Sequence, residues 1–213
     1  MARTTGSLGE KTEAAIREAA VGLIARHGYE AVTMRQLAAE VGVQAAALYR
    51  YFPTKEELLF TLLRAHMDEL LSSWKAVRAE DAAPVERLTR FVDNHIRFHV
   101  ARRASTHVSN MELRSLSHER LTQILRLRAL YEKELRQILR QGNERGAFAM
   151  EDTNLTAIAI IQMITGVIVW FRPDERLSVE EVCATYLSMT KRLVGARQQR
   201  EKGNVRPDAE LCA

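Results

Sequence analysis

The sequence predicts an all-α fold. Apolar residues recur at three- and four-residue spacing in almost every periodic segment, and no alternating β-branched run is long enough to indicate a sheet. Capping residues precede several of these segments, and Gly or Pro follows them. At 213 residues with 46% hydrophobic content, the chain can bury a sizeable core. We expect a small helical domain over 1–55, a larger one over 56–195 and a polar, disordered tail over 196–213.

The first helix is predicted from Lys11 to His27 and ends at Gly28, because glycine favours the left-handed conformation that terminates helices. A second helix begins near Met34, where Thr33 and Gln36 have the spacing of a capping box. Its inward face carries Leu37, Ala38 and Val41.

A tight turn follows at Gly42, and a third helix is predicted from Gln44 to Tyr51. Val43, Leu48 and Phe52 point inward, which leaves an outward face of Gln44, Ala45, Ala46, Ala47, Tyr49 and Arg50. The pattern is typical of a helix-turn-helix, whose second helix enters the major groove of DNA. The alternative is a helical hairpin with no role in DNA binding.

The larger domain begins with a long helix over about 55–77, opened by a predicted capping box of Thr54 and Glu57. Pro84 opens the next helix, which continues to about Val100. The remaining predicted helices are a short one over 105–114, an amphipathic one over 121–141 ended by Gly142 and Gly146, an apolar one over 152–171, and a last one that Ser178 and Glu181 cap and that runs to about Val194.

The apolar run Leu155–Phe171 invites a membrane interpretation, but it is short for a span and carries Thr156, Gln162, Thr165 and Gly166. A helix that is apolar on all sides is buried instead, either within the domain or between subunits. We therefore expect no membrane association.

Charge, composition and motifs argue against several classes of protein. The net charge is +4, and residues 1–55 hold seven Lys and Arg against five Glu, so DNA binding would depend on a few placed contacts. Cys183 and Cys212 form no disulfide framework, and the N-terminus has no signal peptide, which favours the cytoplasm. No catalytic motif indicates an enzyme, and no cofactor is expected. His95 and His99 have a metal-sharing spacing, but no third ligand lies nearby in sequence.

The hairpin resembles the TetR family of transcriptional regulators. The resemblance rests on Gly28-Tyr29 at the end of the first helix, the capping Thr33, the Ala and Gly of the hairpin, and Tyr49 and Phe52 at the end of the third helix. It implies a homodimeric repressor that binds palindromic double-stranded operator DNA and is released by a small molecule. The segment from Trp170 to Val182 (WFRPDERLSVEEV) resembles a branch that responds to acyl-CoA thioesters, so a hydrophobic acyl thioester is expected. An apolar drug-like effector and a helical protein-interaction adaptor are the alternatives.

The resemblance also implies site residues. Phosphate contacts would come from Thr33, Tyr49, Tyr51 and Lys55, and base contacts from Arg35, Gln44, Ala45, Ala46 and Arg50. Arg3 would lie in a minor groove or in a solvent-exposed tail. The expected dimer interface comprises Ala157, Ile160, Ile161, Ile164, Ile168, Val182, Tyr186 and Met189. Effector contacts are predicted at Phe91, His95, His99, Asn110, Met111, Tyr131 and Trp170.

Overall fold

The computed structural model describes residues 4–173 and 175–196, with side chains from Gly9 onward, and this part of the chain is helical without strands. The predictions for Arg3, Cys212 and the tail beyond Ala196 lie outside the described residues. Elements α1 to α3 form an N-terminal domain, termed the head, and α4 to α10 form the larger domain, termed the body.

The head consists of α1 (Thr4–His27), α2 (Met34–Val41) and α3 (Ala45–Tyr51). Its core is aliphatic and fully buried, with contributions from all three helices: Ile16, Ala20, Ile24, Leu37, Ala38 and Leu48. Helix α1 begins seven residues earlier than predicted, at Thr4 rather than Lys11. The prediction of an N-terminal helix-turn-helix built from three helices is confirmed.

Side-chain caps fix the ends of the hairpin. The Thr33 hydroxyl accepts from the Gln36 amide at 3.2 Å, and the Gln36 side chain accepts from the Thr33 amide at 2.8 Å, so the predicted capping box forms. Gly42 adopts φ +73, the left-handed conformation that an L side chain would strain. Gln44 begins α3 without a side-chain cap. The hairpin geometry is thus set by its own sequence.

Helix α4 (Lys55–Val77) has the predicted bounds and leads from the head into the body. The Thr54 hydroxyl accepts from the Glu57 amide at 3.0 Å, but only this half of the predicted capping box forms. The Glu57 carboxylate instead pairs with Arg120, which lies 63 residues later in the chain. A salt bridge between two distant elements therefore replaces the local capping contact.

The body contains α5 (Pro84–Ala101), α6 (Arg103–Met111), a 3-10 turn (Leu113–Ser115), α7 (His118–Glu144), α8 (Thr153–Thr165), α9 (Val167–Trp170) and α10 (Val179–Leu193). Helix α5 lies at its centre and packs against α4, α7, α8 and α10. The Ser178–Glu181 capping box forms as predicted and opens α10.

Two predicted helix ends in the body are wrong. Gly142 does not end α7, since it is buried inside the helix, and a Cβ placed there would lie 2.0 Å from the Phe148 ring. The glycine allows close packing, while Gly146, at φ +67, takes the left-handed conformation beyond the helix end. The apolar helix predicted over 152–171 is two helices, because Gly166 divides α8 from α9.

The stretch Thr153–Trp170 is the one part of the described residues that is long and apolar enough, by composition, to cross a membrane. Its mean hydropathy is 1.7, yet only 28% of the stretch is buried within the chain. A core helix passes the same test, so composition alone is weak support for a membrane span. Leu155, Ile158, Val169 and Trp170 of this stretch are exposed on the surface of the body.

Candidate functional site

The outer face of the hairpin carries the predicted DNA-contact residues. Arg35, Gln44, Ala46, Tyr49 and Arg50 are exposed, and they lie on α2, on α3 or at the start of α3. Tyr49 is a large aromatic residue with 47% of its surface exposed. The small side chain of Ala46 would let the backbone approach a partner closely. We refer to these five residues as the hairpin face.

The other predicted DNA contacts are partly engaged within the chain. The Lys55 ammonium lies 4.1 Å from the centre of the Tyr29 ring and donates to the Glu30 carbonyl at 3.3 Å. Ala45 and Tyr51 are half-buried, whereas Thr33 is exposed with its hydroxyl in the capping box. Lys55 therefore holds the turn after α1 against the start of α4, and this role does not depend on DNA.

Two carboxylates that the sequence did not single out connect distant parts of the chain. Glu112, just after α6, accepts a hydrogen bond from the Tyr29 amide at 3.1 Å and so joins the body to the head. Within the body, Glu56 of α4 accepts from the Ser117 amide at 2.8 Å, and this bond lowers the pKa of its carboxyl. These contacts join residues 61 and 83 positions apart, so no local sequence pattern could have revealed them.

Four of the predicted effector residues meet in the interior of the body. Phe91, His95, His99 and Tyr131 are buried on α5 and α7, and we term these side chains, together with His66 of α4, the inner cluster. The His95 and His99 rings stack with centroids 3.9 Å apart. Phe91 and Tyr131 lie 5.0 Å apart, and His66 and His99 lie 5.7 Å apart.

Polar atoms within the inner cluster are only partly satisfied. His95 Nε2 lies 2.9 Å from the Thr165 hydroxyl, and His95 Nδ1 lies 3.2 Å from the Tyr131 hydroxyl. The His99 Nδ1 donates to the His95 carbonyl at 2.7 Å. His66 Nδ1 is buried without a hydrogen-bond partner. Because an unpaired buried polar atom is costly, it is a position where a ligand group would be stabilised.

Burial keeps the three histidines neutral. It lowers the pKa of His66 to about 3 and the pKa of His99 to about 4, and it lowers the pKa of His95 well below the usual value. Within the described residues, no group of three or more His, Cys, Asp or Glu side chains is arranged to hold a metal ion. The inner cluster therefore offers neutral hydrogen-bonding groups in apolar surroundings.

Arg128 of α7 connects the inner cluster to α6. Its guanidinium donates to the Ser109 carbonyl at 2.8 Å and to the Asn110 side chain at 3.1 Å, in the last turn of α6. Its positive charge also disfavours protonation of His66 and His99. Asn110, a predicted effector residue, is thus held by Arg128. Arg128 itself is a functional candidate that the sequence did not reveal.

Two predicted effector residues lie on the surface instead. Met111 is 56% exposed at the end of α6, and Trp170 is 45% exposed on α9. The Trp170 ring stacks on Tyr186 at 6.3 Å, and its Nε1 donates to the Tyr186 hydroxyl at 3.3 Å. Both side chains are too exposed to belong to the buried inner cluster.

Four predicted interface residues are core residues of a single chain. Ala157, Ile160 and Ile164 of α8 and Val182 of α10 are at most 1% exposed. Helix α8 packs against α5 and α7 through this face, so the most regular apolar stripe forms intrachain core. Ile168 is also buried, at 6%, whereas Ile161 and Tyr186 are half-buried and Met189 is exposed.

The uncovered apolar side chains of α8, α9 and α10 lie on the other side of these helices. They are Leu155, Ile158, Val169, Trp170, Met189 and Leu193, exposed by 64%, 46%, 72%, 45%, 40% and 47%. We refer to these six residues as the apolar face. Exposed apolar residues concentrated on adjoining helices are typical of a protein interface.

Comparisons with known proteins agree with this architecture. Residues 16–62 match the description "Bacterial regulatory proteins, tetR family", and residues 81–194 match "Tetracyclin repressor-like, C-terminal domain". The two matches correspond to the head with the start of α4 and to most of the body. Members of this family are DNA-binding regulators rather than enzymes, and they act as dimers that respond to small molecules.

Individual relatives align with most of the chain. The transcriptional repressor KstR2 from Rhodococcus jostii (strain RHA1) is 26% identical over 188 residues, which cover 87% of this chain and 91% of that protein. A tetR-family regulatory protein from Rhodococcus RHA1 has a solved structure with 31% identity and a TM-score of 0.84, covering 88% of this chain and 99% of its own.

A third similar protein, AibR, was solved in complex with isovaleryl coenzyme A and operator DNA. It is 28% identical with a TM-score of 0.74, and the alignment covers 87% of this chain and all of that chain. The capped hairpin, the all-helical body and the family matches over both domains lead to one conclusion. The chain belongs to the TetR family and is a transcriptional repressor of the TetR type.

Proposed function

We propose that this repressor binds a palindromic operator as a homodimer and is released from it by a hydrophobic acyl thioester of coenzyme A. The observation that carries the effector half of this proposal is the inner cluster, where neutral polar groups lie buried among aromatic rings of α4, α5 and α7. The hairpin face and the apolar face supply the DNA contacts and the dimer contacts.

The hairpin face supports operator binding. Tyr49, together with Thr33 and Tyr51, would contact phosphates, since hydroxyl and amide donors position a protein on the duplex. Arg35, Gln44 and Arg50 would contact bases, and Ala45 and Ala46 would rest on thymine methyl groups. Few of these side chains offer specific hydrogen bonds, so DNA shape would supply part of the specificity.

The apolar face supports dimerisation. Stable interfaces bury about 800 Å² on each partner and are rich in apolar and aromatic residues. A second copy of this chain would cover Leu155, Ile158, Val169 and Trp170, and it would place two hairpins on one side of the DNA. The operator half-sites would then lie about one helical turn apart, about 34–36 Å, or a multiple of that distance.

The inner cluster supports an acyl thioester as effector. An acyl chain would pack against Phe91, while the thioester oxygen would accept from a neutral histidine or from Tyr131. AibR, similar over nearly its whole length, was solved with isovaleryl coenzyme A. An apolar drug-like molecule is the alternative effector, because aromatic rings also suit such ligands.

Contacts between body and head suggest how the effector would act. Arg128 binds the last turn of α6, and Glu112 follows that turn and accepts from the Tyr29 amide. A ligand that displaced His66 or His99 would move Arg128 and, through α6, the end of α1. The effector must bind the DNA-incompetent arrangement more tightly, with a coupling of about 1–3 kcal/mol.

The substitution Glu112→Gln tests this connection. The new side chain would keep one oxygen for the Tyr29 amide but lose the charge, so the coupling should weaken while DNA and effector affinities measured separately change little. We expect at least about a threefold rise in the effector concentration that releases half of the DNA. Glu119→Gln, at an exposed position in the first turn of α7, is the control. An unchanged release curve would remove Glu112 from the pathway.

The proposal itself is tested by binding of the purified protein to the intergenic DNA upstream of its own gene, over a range of salt. Isovaleryl, cyclohexanecarbonyl and palmitoyl coenzyme A are added in parallel with free coenzyme A and with a hydrophobic cationic dye. Release by one thioester alone supports the acyl-thioester effector, and release by the dye supports the alternative. Retention of DNA under every addition contradicts both effector classes.

A further inference from the structure

A groove lined by polar, charged and apolar side chains runs along the surface of the body between α4 and α5. Its volume is about 370 Å³, and the side chains of Ser73, Asp93, Asn94 and Phe98 contribute to its lining. Three arginines, Arg90 and Arg97 of α5 and Arg102 at its C-terminal end, also line it. No contact described above for DNA binding, dimerisation or coupling between the domains uses this groove.

The three guanidiniums are exposed and make ion pairs at the surface. Arg97 pairs with Asp93 and Glu180, and Arg102 pairs with Glu69. Arg90 pairs with Glu86 and also donates to the Val77 carbonyl at 3.3 Å, so a phosphate would have to displace these contacts. Each of these arginines is 43–44% exposed, so solvent weakens the pairs. Arg102 uses only its Nε in the pair, which leaves both terminal nitrogens for another acceptor. A phosphate carries more charge than a carboxylate and can accept two parallel hydrogen bonds from a guanidinium. It would therefore compete well with Glu69 for Arg102.

The groove also offers a planar surface. The Arg102 guanidinium lies 4.4 Å from the centre of the Phe98 ring. Guanidinium groups stack on flat aromatic systems, and a purine can stack on the side that faces away from Phe98. Phosphate binding and purine stacking would therefore be available within one groove.

Two residues belong both to the groove and to the wall of the inner cluster. The Phe98 ring contacts His66 at 5.4 Å and His99 at 5.5 Å between centroids. The Asn94 side chain accepts from the Ser73 hydroxyl at 2.6 Å and also lies beside Tyr131. Its Nδ2 is buried and has no partner at ordinary hydrogen-bond distance. A linear amide-containing ligand that passed this point would give that nitrogen an acceptor.

We propose that the groove binds the phosphorylated adenosine end of the coenzyme A thioester, with the pantetheine arm passing Asn94 and Phe98 and the acyl end in the inner cluster. This inference rests on the proposed acyl-thioester effector. Arg90 and Arg102 bind phosphate, Arg102 stacks on the purine, and Asn94 binds an amide of the arm. The head group thus gives affinity that the acyl group alone does not supply.

The double variant Arg90→Gln with Arg102→Gln tests the groove. Arg97 is left intact because its pair with Glu180 joins α5 to α10. Titration calorimetry measures binding of isovaleryl coenzyme A and of isovaleryl pantetheine, which lacks the nucleotide. We expect the double variant to bind the coenzyme A ester at least about tenfold more weakly and the pantetheine ester as well as the parent does.

The control is Arg64→Gln, since Arg64 is exposed on α4, forms a comparable pair with Asp68 and lies outside the groove lining. Circular dichroism and DNA affinity verify that every variant is folded. Equal weakening for both esters, or none for either, overturns the groove assignment.

The two proposals fail in different ways. If either ester still releases operator DNA from the double variant, the acyl-thioester effector proposal stands even when the groove assignment is excluded. If neither ester binds the parent protein, the effector proposal fails, and titration with free coenzyme A then decides the groove. If the parent protein binds free coenzyme A and the double variant does not, the groove assignment is supported. If the parent protein does not bind free coenzyme A, the groove assignment is overturned.

Discussion

The hairpin face and the apolar face are both uncovered, but they are built from opposite kinds of side chain. Ala46 and Arg50 on the hairpin face are small or charged, and only Tyr49 is large and aromatic. The apolar face presents Leu155 and Val169 with 64% and 72% of their surfaces exposed. The first face can approach a polar, charged partner. Covering the second face with an apolar partner removes apolar surface from water, and this stabilises the association.

This difference indicates how each partner is held. Burying one large aliphatic side chain stabilises an association by about 1.5–3 kcal/mol, and the apolar face has several of them. On the function proposed above, DNA binding depends instead on a few positioned contacts and on having two hairpins in one dimer. We therefore expect dimerisation to be the larger energetic term and DNA affinity to depend on it.

The largest effect is expected from a charge on the apolar face. Ile158→Asp should yield monomers and weaken operator binding about 100-fold, because a monomer loses the second half-site. Light scattering and a gel shift measure the two effects. Leu125→Asp is the matched control, since Leu125 is exposed to the same degree, 48% against 46%, but lies on α7. A dimeric Ile158→Asp protein would exclude this face as the interface.

A second expected difference concerns acid stability, because the body buries titratable groups and the head core does not. The folded-state pKa values of His66 and His99, about 3 and 4, lie below the unfolded value near 6.5. Between these limits the unfolded chain binds more protons, so the free energy of unfolding falls as pH falls. From pH 7.5 to 5.0, each histidine should remove up to about 2 kcal/mol.

Urea denaturation at several pH values measures this slope. His66→Leu should reduce the loss by up to about 2 kcal/mol, because one titrating group is removed. The exposed His107 provides the control His107→Gln, which should leave the slope unchanged. If His66→Leu has the same slope as the parent, the neutral buried histidine is not the source of the acid lability.

A smaller effect is expected from the aromatic residue of the hairpin face. Tyr49→Ala should weaken binding to operator and to unrelated DNA alike by about tenfold, because a phosphate contact carries no sequence information. Fluorescence anisotropy on the two DNAs measures it, and Tyr49→Phe separates the hydroxyl from the ring. Loss of operator binding with unchanged binding to unrelated DNA would instead make Tyr49 a base-reading residue.

The smallest effect is expected at the start of α3. Gln44→Ala should reduce the preference for operator over unrelated DNA by about 1 kcal/mol, since one bidentate base contact is lost. Gln44 makes no side-chain cap, so helix stability should not change. A lower melting temperature with unchanged preference would assign Gln44 a structural role.

The head was predictable because its signals are local. Thr33 and Gln36 are three residues apart, and Gly42 supplies the left-handed turn, so the sequence specifies the hairpin without long-range information. The body required contacts between distant residues. Burial of Ile160 and exposure of Ile158 depend on the angle at which α8 packs against α5 and α7, and periodicity alone does not decide that angle. The link from Glu112 to Tyr29 likewise exists only in the folded chain.

On the function proposed above, one thioester and operator DNA compete through two arrangements of the same dimer. Calorimetry of isovaleryl coenzyme A, or of the thioester that best releases DNA, with free protein and with the operator complex tests it directly. Linkage requires the operator to weaken thioester binding by the same factor by which the thioester weakens operator binding, about 5- to 150-fold. Equal thioester affinity for free and DNA-bound protein would contradict the account.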